Sequence, residues 1–274
     1  MTASSDFAMP PPPSAAKINL AIADLVIYAI LFFPVIWIAW KYGKKGMVCW
    51  PIFVTYFPLR FVSDAWQVAK RNEPEIPNTV AIMTNAGSIA CLSLTLIGMV
   101  YEVNILLPLP PKRWVEKIML GVMHLAMTAG IGLATYGGAP SPDHAGGVVF
   151  EDLNHIGNCL MLFAMLFGLG GWIWTTGKRV LALKSHPNFL AAKYLLIAAC
   201  AALPFQLVRL GHSLTYAFTP YPVLDPITGT FATRLIIMFG MQLVVAIIAT
   251  VGGWFSMDTA PAGEWGLNPG FSSV

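Results

Sequence analysis

Asp24, Arg60, Asp64, Asn85, His155, Asn158, Arg209 and His212 all fall inside long apolar runs. An ionised side chain at the centre of a bilayer costs about 2.5–3.5 kcal/mol on insertion scales, so such groups pair, hydrate or bind something. Their spacing is organised. Arg60, Asp64 and Gln67 stand at i, i+4 and i+7, one stripe of a helix. Gln206, Arg209 and Ser213 form a similar stripe with His212 at its margin, and Asn154, His155 and Asn158 share a face. Pro58 and Pro204 shortly precede Arg60 and Arg209. Proline kinks a helix and frees a carbonyl, which would widen a bundle beside those arginines.

Three chemistries fit this set. The first is a polar cavity that holds a small amphipathic molecule. The second is catalysis, with a buried carboxylic acid, Asp64 or Asp24, as general acid for a terpenoid cyclisation or isomerisation. Arg60 opposes that role, because a neighbouring cation stabilises the carboxylate. The third is structural: an intrahelical Arg60–Asp64 pair and an Asp24–Arg209 bridge that fix helix packing. Spacing leaves all three open. Elsewhere, His124 reads as a hydrogen-bonded packing residue and Gln242 as helix glue. Lys193 and Glu102 read as side chains that snorkel to the interface.

The elements that must position these residues are membrane spans. Of 274 residues, 57% are hydrophobic and only 11% charged. Sixteen basic and 13 acidic residues cannot cover a water-facing surface of this size, and the hydrophobicity excludes a disordered chain. A net charge of +3 without a basic run gives no reason to expect nucleic acid. Seven runs are long enough to cross a bilayer, near Asn19–Trp40, Met47–Ala69, Thr79–Val103, Val115–Tyr136, Asp152–Thr176, Phe189–Phe218 and Thr233–Met257. The expected fold is all-α, a polytopic membrane bundle of seven transmembrane helices over residues 18–257. A Pro-rich disordered tail (1–17) precedes it and a disordered tail (258–274) follows. No removable signal peptide is read, so the first span serves as the insertion signal.

Basic residues favour the cytosolic loops. Lys41, Lys44, Lys45, Lys112, Arg113, Lys178, Arg179 and Lys184 lie in the first, third and fifth loops, against Lys17, Lys70 and Arg71 in the N-tail and even loops. The N-terminus is therefore expected outside the cytosol and the C-terminus inside it. That orientation puts Asp24, Asp64, Asn85, His155, Arg209, His212 and Arg234 in the extracytoplasmic half. Most tryptophans lie near run ends, as an aromatic belt would place them. Cys49, Cys91, Cys159 and Cys200 lie in apolar stretches and read as small packing residues. Asp143, His144, Glu151, Asp152 and His155 gather in and after the fourth loop, but their spacing matches no metal site. No P-loop, GxSxG, HExxH, dinucleotide fingerprint or DDxxD-type run occurs, and no cofactor is implied.

The run DLVIYAILFFPVIWIAWKYGKKG leads into WPIFVTYFPLRFVSDAWQV; NAGSIACLSLTLIGMVYE and LPFQLVRLGHSLTYAF follow in order. Together they resemble a family of fungal seven-helix integral membrane proteins catalogued as a domain of unknown function. The likeness covers roughly residues 18–257 and departs from the family pattern at His212 and Gln242. It implies a fungal source, a seven-helix fold and, through members that occur beside biosynthetic genes, a link to secondary metabolism. The layout is also similar, at fold level, to fungal lipid-translocating exporters and seven-helix receptors. The combined expectation is a multi-pass protein of the endoplasmic reticulum or plasma membrane that handles a small amphipathic or lipid-like molecule as transporter, sensor or accessory factor. A membrane-embedded acid-initiated cyclase or isomerase and a seven-helix receptor are the alternatives.

Overall fold

A computed structural model describes residues 11–76, 78–107, 113–139 and 148–257, leaving aside the side chains of Lys44, Lys45 and Arg113. The N-tail up to Pro10, Lys112 and its prolines, Asp143, His144 and the tail after Met257 lie outside the described residues. The architecture is all-α. Among the described residues seven helices follow one another: α1 (Ala15–Tyr42), α2 (Trp50–Ala69), α3 (Thr79–Leu106), α4 (Arg113–Gly137), α5 (Glu151–Ala182), α6 (Phe189–Phe218) and α7 (Phe231–Ser256). Helices α5 and α7 run on through one π-helical segment each, at Ala164–Leu169 and Arg234–Gly240.

Six of the seven are long and apolar enough to cross a membrane; α2 is not among them. In its 20 residues α2 carries Arg60, Asp64 and Gln67, besides Pro51 and Pro58, and these dilute its apolar character. The apolar helices point to a multi-pass membrane protein. Their outer faces agree. On α1, Ile22, Val26, Ile30, Phe33, Trp37 and Trp40 are exposed, while Asp24, Tyr28, Val35, Ile38 and Tyr42 are buried. The steps within each set are three, four or seven residues, so one stripe faces the surroundings and the other the bundle. The exposed stripe is the more apolar, which suits a lipid solvent.

Local signals set the ends. Ser14 accepts a hydrogen bond from the Lys17 N–H at 3.4 Å and starts α1 at Ala15, ahead of the expected Asn19. Gly43, with φ at +52°, ends it, donating its N–H to Ala39. Asn78 caps α3 by accepting from the Ala81 N–H at 2.9 Å.

Sequential neighbours pack against one another, and α1 meets α7, closing a ring. Helix α3 also reaches α6 and α7 and is the most enclosed. Three of its hydroxyls are satisfied by bonding back along the helix: Thr84 to Val80, Ser88 to Thr84 and Thr95 to Cys91. Helix α4 is the most peripheral and leans on α5, where Gly130 and Gly157 bring the two backbones so close that a Cβ on either would meet main-chain atoms of the other.

Several expectations are corrected. Cys159 and Cys200 are exposed, and only Cys49 and Cys91 are buried, since helix rotation turns the first two outward. Glu102 does not snorkel; it is buried and accepts from the Trp50 indole at 3.0 Å. Trp50 and Trp172 are core residues rather than belt residues, the latter bonded to Glu116 at 2.7 Å. Two readings hold: His124 shares a hydrogen bond with the Leu120 carbonyl at 3.0 Å, and Gln242 joins two helices by accepting from Tyr56 at 3.4 Å; Lys193 is exposed.

Candidate functional site

The helix starts of α1, α3, α5 and α7 and the ends of α2, α4 and α6 meet at one end of the bundle. Two adjoining cavities open there.

The smaller, about 140 Å³, lies between α1, α2, α3 and α7 and is lined by Asp24, Arg60, Asp64, Asn85, Glu75 and Arg234, among others. Arg60 holds it together. One of its terminal nitrogens donates to Asp24 at 2.9 Å and to Asp64 at 3.3 Å. Its guanidinium sits 5.3 Å from the centre of the Tyr28 ring, close enough for a cation–π contact. The Asp24–Arg209 bridge expected from the sequence does not form: the α2 stripe turns Arg60 toward α1, and Asp24 pairs with it. Each carboxylate leaves one oxygen without a protein partner.

A second ion cluster lines the same cavity. Glu75, in the α2–α3 connector, accepts from Lys17 at 2.7 Å and from Arg234. Lys17 also donates to the Thr228 carbonyl at 3.2 Å. Three segments distant in sequence are thereby tied together: the start of α1, the α2–α3 connector and the start of α7. The ionisable residues lining this cavity are Lys17, Arg60, Lys70 and Arg234 against Asp24, Asp64, Glu73 and Glu75, so their formal charges cancel. A balanced, mostly paired space of this size admits a few waters and little else.

The larger cavity, about 620 Å³, lies between α3, α4, α5 and α6. Ile82, Ala86, Ile89, Ile131, Ala134 and Met161 make its apolar walls, and Asn85, Asn154, Asn158, Ser213 and Tyr216 supply neutral polar groups. Its acids are Glu151, whose side chain is largely exposed, and Asp225. Asp225 is already committed, accepting from the Tyr216 hydroxyl at 2.9 Å and from the Ile227 and Thr228 amides at 2.6 and 3.0 Å. Ile76, Asn85, Pro226 and Ile227 line both cavities, so the two spaces share a wall.

Behind that wall is Arg209, fully buried on α6. It donates to Asn85 Oδ1 and to Ser213 Oγ, each at 2.7 Å, and has no carboxylate partner among the described residues. Gln206 reaches α3, donating to Ser93 at 2.8 Å and to the Ile89 carbonyl at 3.3 Å.

The structure thus divides the residues singled out by sequence. Asp24, Arg60 and Asp64 line the smaller cavity, Asn158 the larger and Asn85 both. Arg209 lines neither, but touches Asn85 and Ser213 at their boundary. His155 and His212 also line neither. His155 shares a hydrogen bond with the Ala217 carbonyl at 2.9 Å and stacks on Phe218 with ring centres 4.0 Å apart. His212 is buried beside the α6–α7 loop, both ring nitrogens outside hydrogen-bond geometry. Asn158 donates to Asn154 on its own helix at 2.8 Å. Among the described residues no group of His, Cys, Asp and Glu converges as a metal site.

Sequence reasoning missed Glu75, Tyr28, Tyr216 and Asp225. Tyr216 was within reach, because it continues the Arg209–Ser213 stripe at i+7. Glu75 carries no periodic signal, since it lies in a connector.

A family model described as a domain of unknown function, DUF7702, matches residues 15–259. The chain belongs to the DUF7702 family. The match spans all seven helices and both cavities, as the resemblance over residues 18–257 led one to expect. No curated protein and no solved structure matches the chain.

Proposed function

We propose that this membrane protein binds a small amphipathic molecule in the 620 Å³ cavity, and acts on it as a transporter, sensor or accessory factor. The observation that carries the reading is the cavity's character. Its volume falls in the usual range for small-molecule sites, and apolar walls with a few convergent polar groups are how such sites are built. The acid-initiated cyclase gains no support from the geometry, because Asp24 and Asp64 face the smaller cavity and both are engaged by Arg60.

The same proposal has α2 crossing the membrane as a seventh span, its polar residues sheltered against α1, with the N-terminus outside the cytosol. Both cavities would then open on the extracytoplasmic side. A place in the endoplasmic reticulum or plasma membrane, and a tie to a fungal biosynthetic pathway, belong to this reading as well. Its test is to fill the larger cavity. Ala86→Phe and Thr135→Phe project into it from α3 and α4. Native mass spectrometry of protein purified from its host should find a small molecule retained by the unmodified chain and lost from both variants. Equal retention in all three would overturn the assignment.

A further inference from the structure

We infer that the molecule held in the larger cavity carries an anionic head, a carboxylate or phosphate, seated against Asn85 and Ser213 with Arg209 behind them. This deepens the cavity reading above and rests on it.

The argument starts from hydrogen-bond directions. A guanidinium is donor-only. Arg209 is fully buried and bonds to Asn85 and Ser213 at 2.7 Å each. Asn85 must therefore present its carbonyl oxygen to Arg209, and Ser213 its oxygen lone pair. What remains of both groups is donors: the Asn85 NH₂ and the Ser213 O–H proton. Neither donates to a protein acceptor among the described residues, although hydroxyls on neighbouring α3 do donate to backbone carbonyls. Both residues line the 620 Å³ cavity.

Charge agrees with direction. The eight ionisable residues around the smaller cavity balance. Arg209, in contrast, has two neutral partners and no counter-ion among the described residues. A buried cation without one is costly. Two side chains that take its donors on one side and present their own on the other pass its positive potential to the cavity wall, and donors backed by a cation favour an anion. The competing acids are Asp225, held by Tyr216 and two amides, and Glu151, whose side chain is largely in solvent. The apolar walls from α3, α4 and α5 then take the tail.

The test uses the full chain in phosphatidylcholine nanodiscs with three probes of one tail length: dodecanoate, dodecanol and dodecylammonium. Saturable binding of dodecanoate should be about tenfold or more tighter than that of the other two. Ser213→Ala and Asn85→Leu should each remove most of that preference. Asn85→Asp is the decisive variant. It gives Arg209 its own carboxylate partner, so the fold should be at least as stable while the dodecanoate preference vanishes. A preference that survives Asn85→Asp in a folded protein would overturn the inference. Equal saturable binding of all three probes, abolished by Ala86→Phe, would overturn the anionic head and leave the cavity reading standing. Binding of no probe, or binding indifferent to Ala86→Phe, would overturn both. Phosphatidylglycerol added to the nanodiscs distinguishes the sources: competition with dodecanoate identifies a lipid phosphate, and its absence a free carboxylate.

Discussion

Arg60 carries two carboxylates on one nitrogen and an aromatic ring against its face. The three residues of that cluster are therefore not equivalent. Arg60→Gln strands two buried carboxylates side by side, and removing one member of a buried ion pair costs on the order of 3–5 kcal/mol. Asp64→Asn leaves Arg60 its shorter bond to Asp24 at 2.9 Å, so its loss should be smaller. The apparent thermal midpoint in detergent should fall further for Arg60→Gln than for Asp64→Asn. The reverse order would show that Asp64, not Arg60, organises the cluster. Residue types and their helical stripes were readable from the sequence, but their partners were not. The i, i+4 relation of Arg60 and Asp64 is fixed within one helix, and it formed. Whether Asp24 meets Arg60 or Arg209 depends on how α1 and α2 rotate about their axes, and single-sequence periodicity does not contain that angle. The same holds for Glu102, which lies near a helix end but is turned inward onto Trp50.

Helix existence was legible almost throughout, because a run of apolar residues long enough to cross a bilayer has few alternatives. Phe189–Phe218 is found with the expected ends. Helix α5 outlasts the expected Thr176 and reaches Ala182, since Lys178 and Arg179 can extend a helix past the apolar zone. The π segment at Arg234–Gly240 left no recognisable sequence mark; it begins at the arginine that reaches Glu75, and π segments often accompany functional positions. Glycines separate by context. Gly157→Leu would drive a side chain into the Gly130 and Ala134 backbone and should part α4 from α5, lowering the thermal midpoint and the yield of folded protein. Gly132→Ala, on the same helix pair but in open space, should be neutral or stabilising by up to about 1 kcal/mol. Equal damage from both would contradict the close crossing.

At the scale of the whole molecule, the two ends of the bundle differ in kind. One end carries both cavities, Glu75 with its two cations, and the helix starts of α1, α3, α5 and α7. The other carries most of the loop lysines and arginines, and a cluster in which the buried Glu116 meets the half-exposed Arg179 and the buried Trp172. If basic loops stay in the cytosol, a cysteine at Arg71 or Pro226 should react with a membrane-impermeant maleimide added outside sealed cells. One at Lys184 should react only after permeabilisation. The opposite pattern would invert the orientation while leaving the cavities in place.

The central claim is that the larger cavity holds an amphipathic molecule, and photolabelling tests it most directly. Dodecanoate bearing a diazirine on its tail, irradiated with the protein in nanodiscs, should mark Ile89, Ile131 and Met161, which line or adjoin the cavity from three helices. Unlabelled dodecanoate should suppress that signal. Labelling confined to outward-facing Ile118, Leu125 and Phe163, and indifferent to competitor, would mean the molecule only dissolves in the surrounding lipid, and the account would be wrong.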